Sequence, residues 1–391
     1  MLIIYRGCIM KKKKCCFTKK GVISISVIYS FFLIFCLLLV LILTTYTNNR
    51  INFKMLKNDI KERYRDSFNI TPSSIGSLIT LPSNETTDDI GQTYYYSGNV
   101  NNNYIIFGKY TKDMYINNNT LYVECPSGET CTKIASAGDD MLWRIIRING
   151  DGTIRLIYDG TIGNVSYNSN DNDAIYTGYK YSFLVNHGLM KDSTIKTYLD
   201  NWYKINLSGS KYEDYIVNSI FCINRNAYID EEKTTIANGF GTNTQYFENY
   251  NKDSVTDLKC SNNLDRFSTN ASYNSNSSLI NPVGLISYEE LTFIGLNRDN
   301  DNPNSFLTKE YSFWTLTPSH YNDGAYNYYV NEKGKIENII KVSEPLAIRP
   351  VISISADTPV VGKGTKDDPY FFYLGGGNFK NYCYWGEFNE K

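Results

Sequence analysis

Hydrophobic and polar positions follow different rhythms along the chain. From Val22 to Tyr46, 25 residues pass without an Asp, Glu, Lys, Arg or His, and ~20 apolar residues suffice to cross a bilayer as a helix. The run predicts a membrane-spanning segment. Arg6, Lys11 to Lys14, Lys19 and Lys20 precede it with no acidic residue, so the positive-inside bias puts a basic leader, 1–21, in the cytoplasm and everything past Tyr46 outside the cell. A cleaved secretory signal has a shorter apolar region, ~7–15 residues, with a small-residue site behind it. This run is longer and ends in Thr44-Thr-Tyr-Thr47, which predicts retention in the membrane. Leu56, Ile60, Tyr64 and Phe68 then recur four apart among charges, the rhythm of a helical stalk over 47–68. Pro72 and the Ser-, Gly- and Thr-rich stretch after it read as a linker over 69–91.

From Gln92 the period shortens. Thr93 to Ser97 and Tyr104 to Phe107 predict strands, and Leu142 to Ile148 with Thr153 to Tyr158 predict a hairpin around Asn149-Gly-Asp-Gly152, residues that accept positive φ. Asp192 or Ser193 can cap a helix that brings Ile195, Tyr198, Leu199 and Trp202 to one face, and Tyr212 to Phe221 repeats that spacing. Asp230 to Ser278 has little periodicity and predicts long loops. Val283 to Ile286 predicts a short strand, and Ser287-Tyr-Glu-Glu290 a capping box opening a helix through Ile294. Ser312 to Thr317, Ala325 to Val330, Ile336 to Val342 and Ile348 to Ile354 close the chain as strands. Strands surround a few helices rather than alternating with them, so the expected class is α+β.

Charge and cysteine sharpen the picture. The leader holds seven of the 39 basic residues, leaving 32 against 40 acidic in the remainder, a balance that argues against nucleic acid as a partner. The 34 tyrosines accompany abundant Asn, Ile and Lys, as AT-rich codon usage produces, so tyrosine content alone does not mark a binding surface. Cys125 and Cys131 flank a tight polar loop and Cys222 and Cys260 bracket a polar excursion; both pairs can bridge in an oxidising compartment, with Cys383 left over. In a reducing one all five stay thiols.

Two resemblances follow. The junction Lys19-Lys-Gly-Val-Ile23, a basic leader closed by Gly before an apolar helix, resembles type IV pilins and pseudopilins. It implies cleavage between Gly21 and Val22 and pilin-like partners, although Ser26 stands where those families carry Glu; Met10 is an alternative start to Met1. Further on, Trp143-Arg-Ile-Ile-Arg147, Gly150-Asp-Gly-Thr153, Tyr198-Leu-Asp-Asn-Trp202, Gly284-Leu-Ile-Ser-Tyr-Glu-Glu290, Phe313-Trp-Thr-Leu-Thr-Pro-Ser319 and Ile348-Arg-Pro-Val-Ile352, in this order, resemble bacterial surface proteins with a C-type-lectin-like domain of the formylglycine-generating-enzyme branch. That implies a lectin-like frame over 92–375, a tail over 376–391 and a display role; fold analogy supplies no activity.

Candidate chemistry is sparse. Cys222 and Cys260 lack the surroundings of a reactive thiol pair, and His187 and His320 stand without a neighbouring His or Cys cluster. Asp299, Asp301 and Glu310 occupy the first, third and twelfth places of an EF-hand-like loop, but Pro303 and Asn304 interrupt it, so calcium is the weak candidate cofactor and none is expected. Calcium-type sugar motifs are broken: Leu346 follows Glu344-Pro345, and Tyr321 precedes Asn322-Asp323. Trp143, Trp202 and Trp314 read as core. Tyr326, Tyr328 and Tyr329, beside Asn322 and Asp323 at the start of a hairpin, are the ligand-binding candidates. The expectation is a non-enzymatic single-pass protein, with the bilayer and an extracellular glycan or protein as partners.

Overall fold

The computed structural model describes residues 29–40, 54–63, 77–79, 88–183, 185, 187–223, 225, 258–260, 262–321 and 323–372. The chain divides into two units, Met1–Asn52 and Phe53–Lys391. In the first, residues 29–40 of the Val22–Tyr46 run are helical, with Phe31, Leu33, Phe35, Leu37 and Val40 each more than half exposed. The leader, the Gly21–Val22 junction and the rest of the run lie outside the described residues. Among the described residues no helix is long and apolar enough to cross a membrane.

The second unit is mixed α and β, mostly strands with few helices. Apolar β-branched residues make Asp140–Ile148 (β3) a nine-residue core strand, buried along nearly its whole length. Tyr94–Ser97 (β1) pairs with one half of β3 and Tyr104–Lys109 (β2) with the other, while Ile154–Tyr158 (β4) runs along the opposite edge. The predicted hairpin is therefore present, closed by a Gly152 N–H to Asn149 carbonyl bond of 2.8 Å. A nine-stranded sheet grows outward from it, through Val351–Ile354 beyond β4 and through Tyr370–Phe372, Pro359–Val361 and Lys54–Met55 beyond β2.

Phe313–Tyr321 (β5) and Ala325–Val330 (β6) form the middle of a second, five-stranded sheet. A third, three-stranded sheet contains Met114–Asn117, Thr120–Tyr122 and Thr132–Ala135. Its two-residue turn, Asn118 and Asn119 with φ of 45° and 65°, is a hairpin signal that the sequence reading passed over. One hydrophobic cluster joins the sheets, and Trp143, Trp202 and Trp314 all lie in it, fully buried.

Among the described residues, three helices pack on this frame. Thr194–Asn206 (α2) starts at Ser193, whose side chain caps the Lys196 N–H, and Tyr288–Ile294 (α3) opens with the predicted capping box of Ser287 and Glu290. The earliest, Leu56–Arg63 (α1), corrects the stalk. Its helical rhythm is real, but Leu56 and Ile60 are completely buried in the main core and the Lys54–Met55 strand pairs with Pro359–Val360. The four-residue spacing marked a face packed on a domain rather than a rod. The linker is corrected in part as well: Ser77–Ile79 is an edge strand against β1, and Asp88 is buried.

Other expectations change as well: Val283 to Ile286 is no strand, only an isolated bridge from Gly284 to Val351. Tyr212 to Phe221 holds only a 3-10 turn, Glu213–Tyr215, after which Ile216 bridges Ile354 and Phe221–Cys222 pairs with Arg266–Phe267. Backbone partners on a sheet edge outweighed the helical spacing there. Of Ile336 to Val342 only Ile336–Glu337 is strand. Asp230 to Ser278 is described only at 258–260 and 262–278, where short 3-10 turns interrupt the loop. Truncating Ile60 tests the correction: Ile60→Ala should lower the stability of the unit by about 2–5 kcal/mol in urea unfolding, whereas a detached stalk would leave the midpoint unchanged.

Candidate functional site

A cleft opens beside the β3–β4 turn, and its walls come from 88–90, the turn itself, 219–222, 258–259 and the start of α3. Its floor follows from a local conflict. Arg147 on β3 and Arg155 on β4 are cross-strand partners, and like charges directly opposite destabilise a sheet. Glu290 resolves it. Its Oε1 accepts Arg147 Nε at 3.0 Å and pairs with Arg155 Nε at 2.5 Å, while its Oε2 accepts the Ser287 N–H as part of the cap on α3. Asp88 completes the set, its Oδ2 accepting Arg147 Nη1 at 3.0 Å and the Gly150 N–H at 2.8 Å, its Oδ1 the N–H groups of Ile90 and Gly91. Only glycine fits at 150, because a Cβ there would lie 2.3 Å from both Asp88 Oδ1 and Gly91 N.

The outer wall is tied covalently. Asp89 accepts the Cys260 N–H at 3.1 Å and pairs with Arg266 at 2.9 Å, and Cys260 is bonded to Cys222 with the Cα atoms 5.6 Å apart. Cys125 and Cys131 form the other disulfide. Both pairings expected from spacing are thus present, and Cys383 lies outside the described residues. Asp151, at the turn, accepts the Thr153 N–H and hydroxyl and the Tyr273 hydroxyl.

Electrostatics fix what the cleft can do. Burial pushes the Glu290 carboxyl up, but Arg155, Arg147 and the Ser287 N–H outweigh it and leave it below its usual value. Asp88 shifts the same way: Arg147 and three backbone N–H groups overcome burial. Burial and the facing Arg147 bring Arg155 down to about 10 against the pull of Glu290. Both carboxylates are therefore ionised acceptors at neutral pH, not proton donors. With Asp89, Asp151 and Glu289 beside them, against Arg147 and Lys259, the lining is acidic on balance. Such a lining accepts hydrogen bonds from hydroxyl, ammonium or guanidinium groups.

The residues singled out from sequence do not meet here. Asp323 is exposed and accepts the Tyr326 hydroxyl at 2.9 Å, and Tyr326 stacks on His320 with ring centroids 4.6 Å apart, so this pair forms a small surface feature of its own. Asn322 lies outside the described residues. Tyr328 and Tyr329 correct the expectation: they are 0 % and 3 % exposed, packed on Tyr288 and Trp314, because β6 is covered on both faces. Asp299, Asp301 and Glu310 are all exposed, and among the described residues no three His, Cys, Asp or Glu side chains converge to hold a metal ion. Ser319 and His320 do touch, at 3.0 Å, but Ser319 is fully buried and cannot present a nucleophile. His187 pairs with Asp265 at 2.9 Å, and Arg225 pairs with the same carboxylate. The cleft residues had a signal in the sequence that went unused: two arginines inside otherwise apolar strands need carboxylates brought to them. No family model, curated protein or solved structure matches the chain.

The ion network predicts an acid limb. Carboxyls whose folded values are depressed contribute stability that is complete above their unfolded values, about 4, and lost as pH falls through the folded ones. The urea midpoint should fall below about pH 4. Glu290→Gln should lower stability at neutral pH by about 3–5 kcal/mol by stranding two buried guanidinium groups and flatten that limb; an unchanged limb would place its source elsewhere.

Proposed function

We propose that the chain is a single-pass, membrane-rooted surface protein whose α+β body, lectin-like in arrangement, binds an extracellular ligand without catalysing a reaction. The observation that carries this reading is the placing of the disulfides. Both bridges join cysteines beyond the apolar run, and disulfides persist in oxidising, extracytoplasmic surroundings. The helical part of the run supports it too, since apolar side chains exposed on every side need lipid or another helix to cover them. The same exposure favours a second reading, a pseudopilin-like subunit whose helix packs into an assembly.

The acceptor-rich cleft indicates the ligand chemistry, a donor-rich glycan or a basic peptide segment. Residues 53–391, the whole second unit, are the piece to probe, since starting at Gln92 would remove Leu56 and Ile60 from the core. On glycan and peptide arrays this piece should bind without calcium, and Asp151→Asn should weaken the signal; binding to nothing on either array removes the ligand-binding role. Protease added to whole cells should digest the body. Its survival, while known exposed proteins are cut, would refute the orientation, and recovery of processed protein in sheared filaments would favour the pseudopilin reading.

A further inference from the structure

At the end of the β3–β4 pair away from Gly150, three cations address a single carboxylate oxygen. Lys309 Nζ lies 2.8 Å, Arg349 Nη2 3.8 Å and Arg144 Nη1 3.9 Å from Asp159 Oδ1. Both arginine side chains are buried, Arg349 completely, and only Lys309 and Asp159 reach solvent, at 21 % and 14 % exposure. Backbone carbonyls take up some of the donors: Arg349 Nε bonds Tyr158 O and its Nη1 Leu307 O, and Arg144 Nη2 bonds Val100 O. Carbonyls carry no net charge, so among the described residues the cluster keeps two positive charges in excess.

Two donors of the cluster are also unused, one on Arg349 and one on Tyr311, which interacts electrostatically with Arg349 and Asp159. Arg349 Nη2 and the Tyr311 hydroxyl have no hydrogen-bond partner among the described residues. An unpaired buried donor costs free energy, and an uncompensated buried charge costs more. A trapped water could satisfy the donors but would leave the charge, and a metal cation would add to it. Burial, then Arg349 and Arg144, push the Lys309 ammonium down against the pull of Asp159.

We propose that this cluster is a binding site for a small inorganic anion of chloride size, held by Arg349 Nη2, the Tyr311 hydroxyl and the Lys309 ammonium. The burial of the first two donors limits the ligand's size, and Lys309 is the entrance. The site is independent of the cleft and of the ligand-binding role proposed above.

Thermal unfolding of the full chain in detergent micelles, at constant ionic strength, tests it. Replacing gluconate by chloride should raise Tm by about 2–4 °C per tenfold increase in chloride above the dissociation constant, and bromide should act like chloride. Lys309→Met should reduce that dependence and Lys309→Arg restore it. Equal Tm values in chloride and gluconate, or a Lys309→Met protein with undiminished chloride dependence, would overturn the proposal. Should Lys309→Met fail to fold, a bromide-soaked crystal of the unaltered protein decides: an anomalous peak within hydrogen-bonding distance of Arg349 Nη2 is expected, and its absence overturns the site.

Discussion

Two guanidinium groups facing each other across adjacent strands are the constraint from which much of this body follows. Arg147 and Arg155 repel in the register that β3 and β4 adopt, and neither can turn to solvent because both side chains are buried. A carboxylate must be delivered between them. Glu290 arrives from a segment more than 130 positions further along, and the same side chain caps the helix that carries it. Helix start, sheet register and charge balance are therefore one interaction. Asp88 extends it to a stretch that composition alone marks as linker, fixing the 88–91 turn against Gly150.

How much of this could be read from the chain depends on whether the deciding contact is local. The β3–β4 hairpin, the Ser193 cap and the capping box at Ser287 are specified within a few residues, and each appears where the pattern puts it. The disulfides were accessible for a related reason, since each closes a loop bounded by polar sequence. What failed was decided by distant partners. Leu56 and Ile60 carry the same spacing whether a helix stands alone or lies on a core, and only the pairing of Lys54–Met55 with Pro359–Val360 settles which. Ile216 likewise finds Ile354, which the local rhythm of 212–221 cannot announce.

The binding candidates show the same division. Tyrosines next to a turn suggest exposure, yet β6 belongs to the interior of its sheet, so Tyr328 and Tyr329 are spent on packing and only Tyr326 stays outside with Asp323 and His320. The cleft was hidden because its residues come from five separate stretches, none distinctive by itself. Buried charge was the better guide. Arginine inside an apolar strand is rare without a partner, and Arg144, Arg147 and Arg155 mark both ends of the hairpin as places where ionic groups gather.

Covalent and ionic restraints meet at the cleft, and their sizes differ in kind. Closing the 38-residue separation between Cys222 and Cys260 lowers the entropy of the unfolded chain by an amount worth about 4 kcal/mol at room temperature. The ionic set contributes less than its count suggests, because desolvation offsets most of the attraction between buried charges. The disulfide thus supplies net stability, whereas the ion pairs specify arrangement: without Glu290 the facing arginines would have no reason to stay buried in this register. Arg266 links the two, bonding the Cys260 carbonyl while its guanidinium holds Asp89. A wall pinned by a covalent bond and a floor pinned by ion pairs hold the cleft's acceptors in place, and for the ligand-binding role proposed above such preorganisation would reduce the ordering cost.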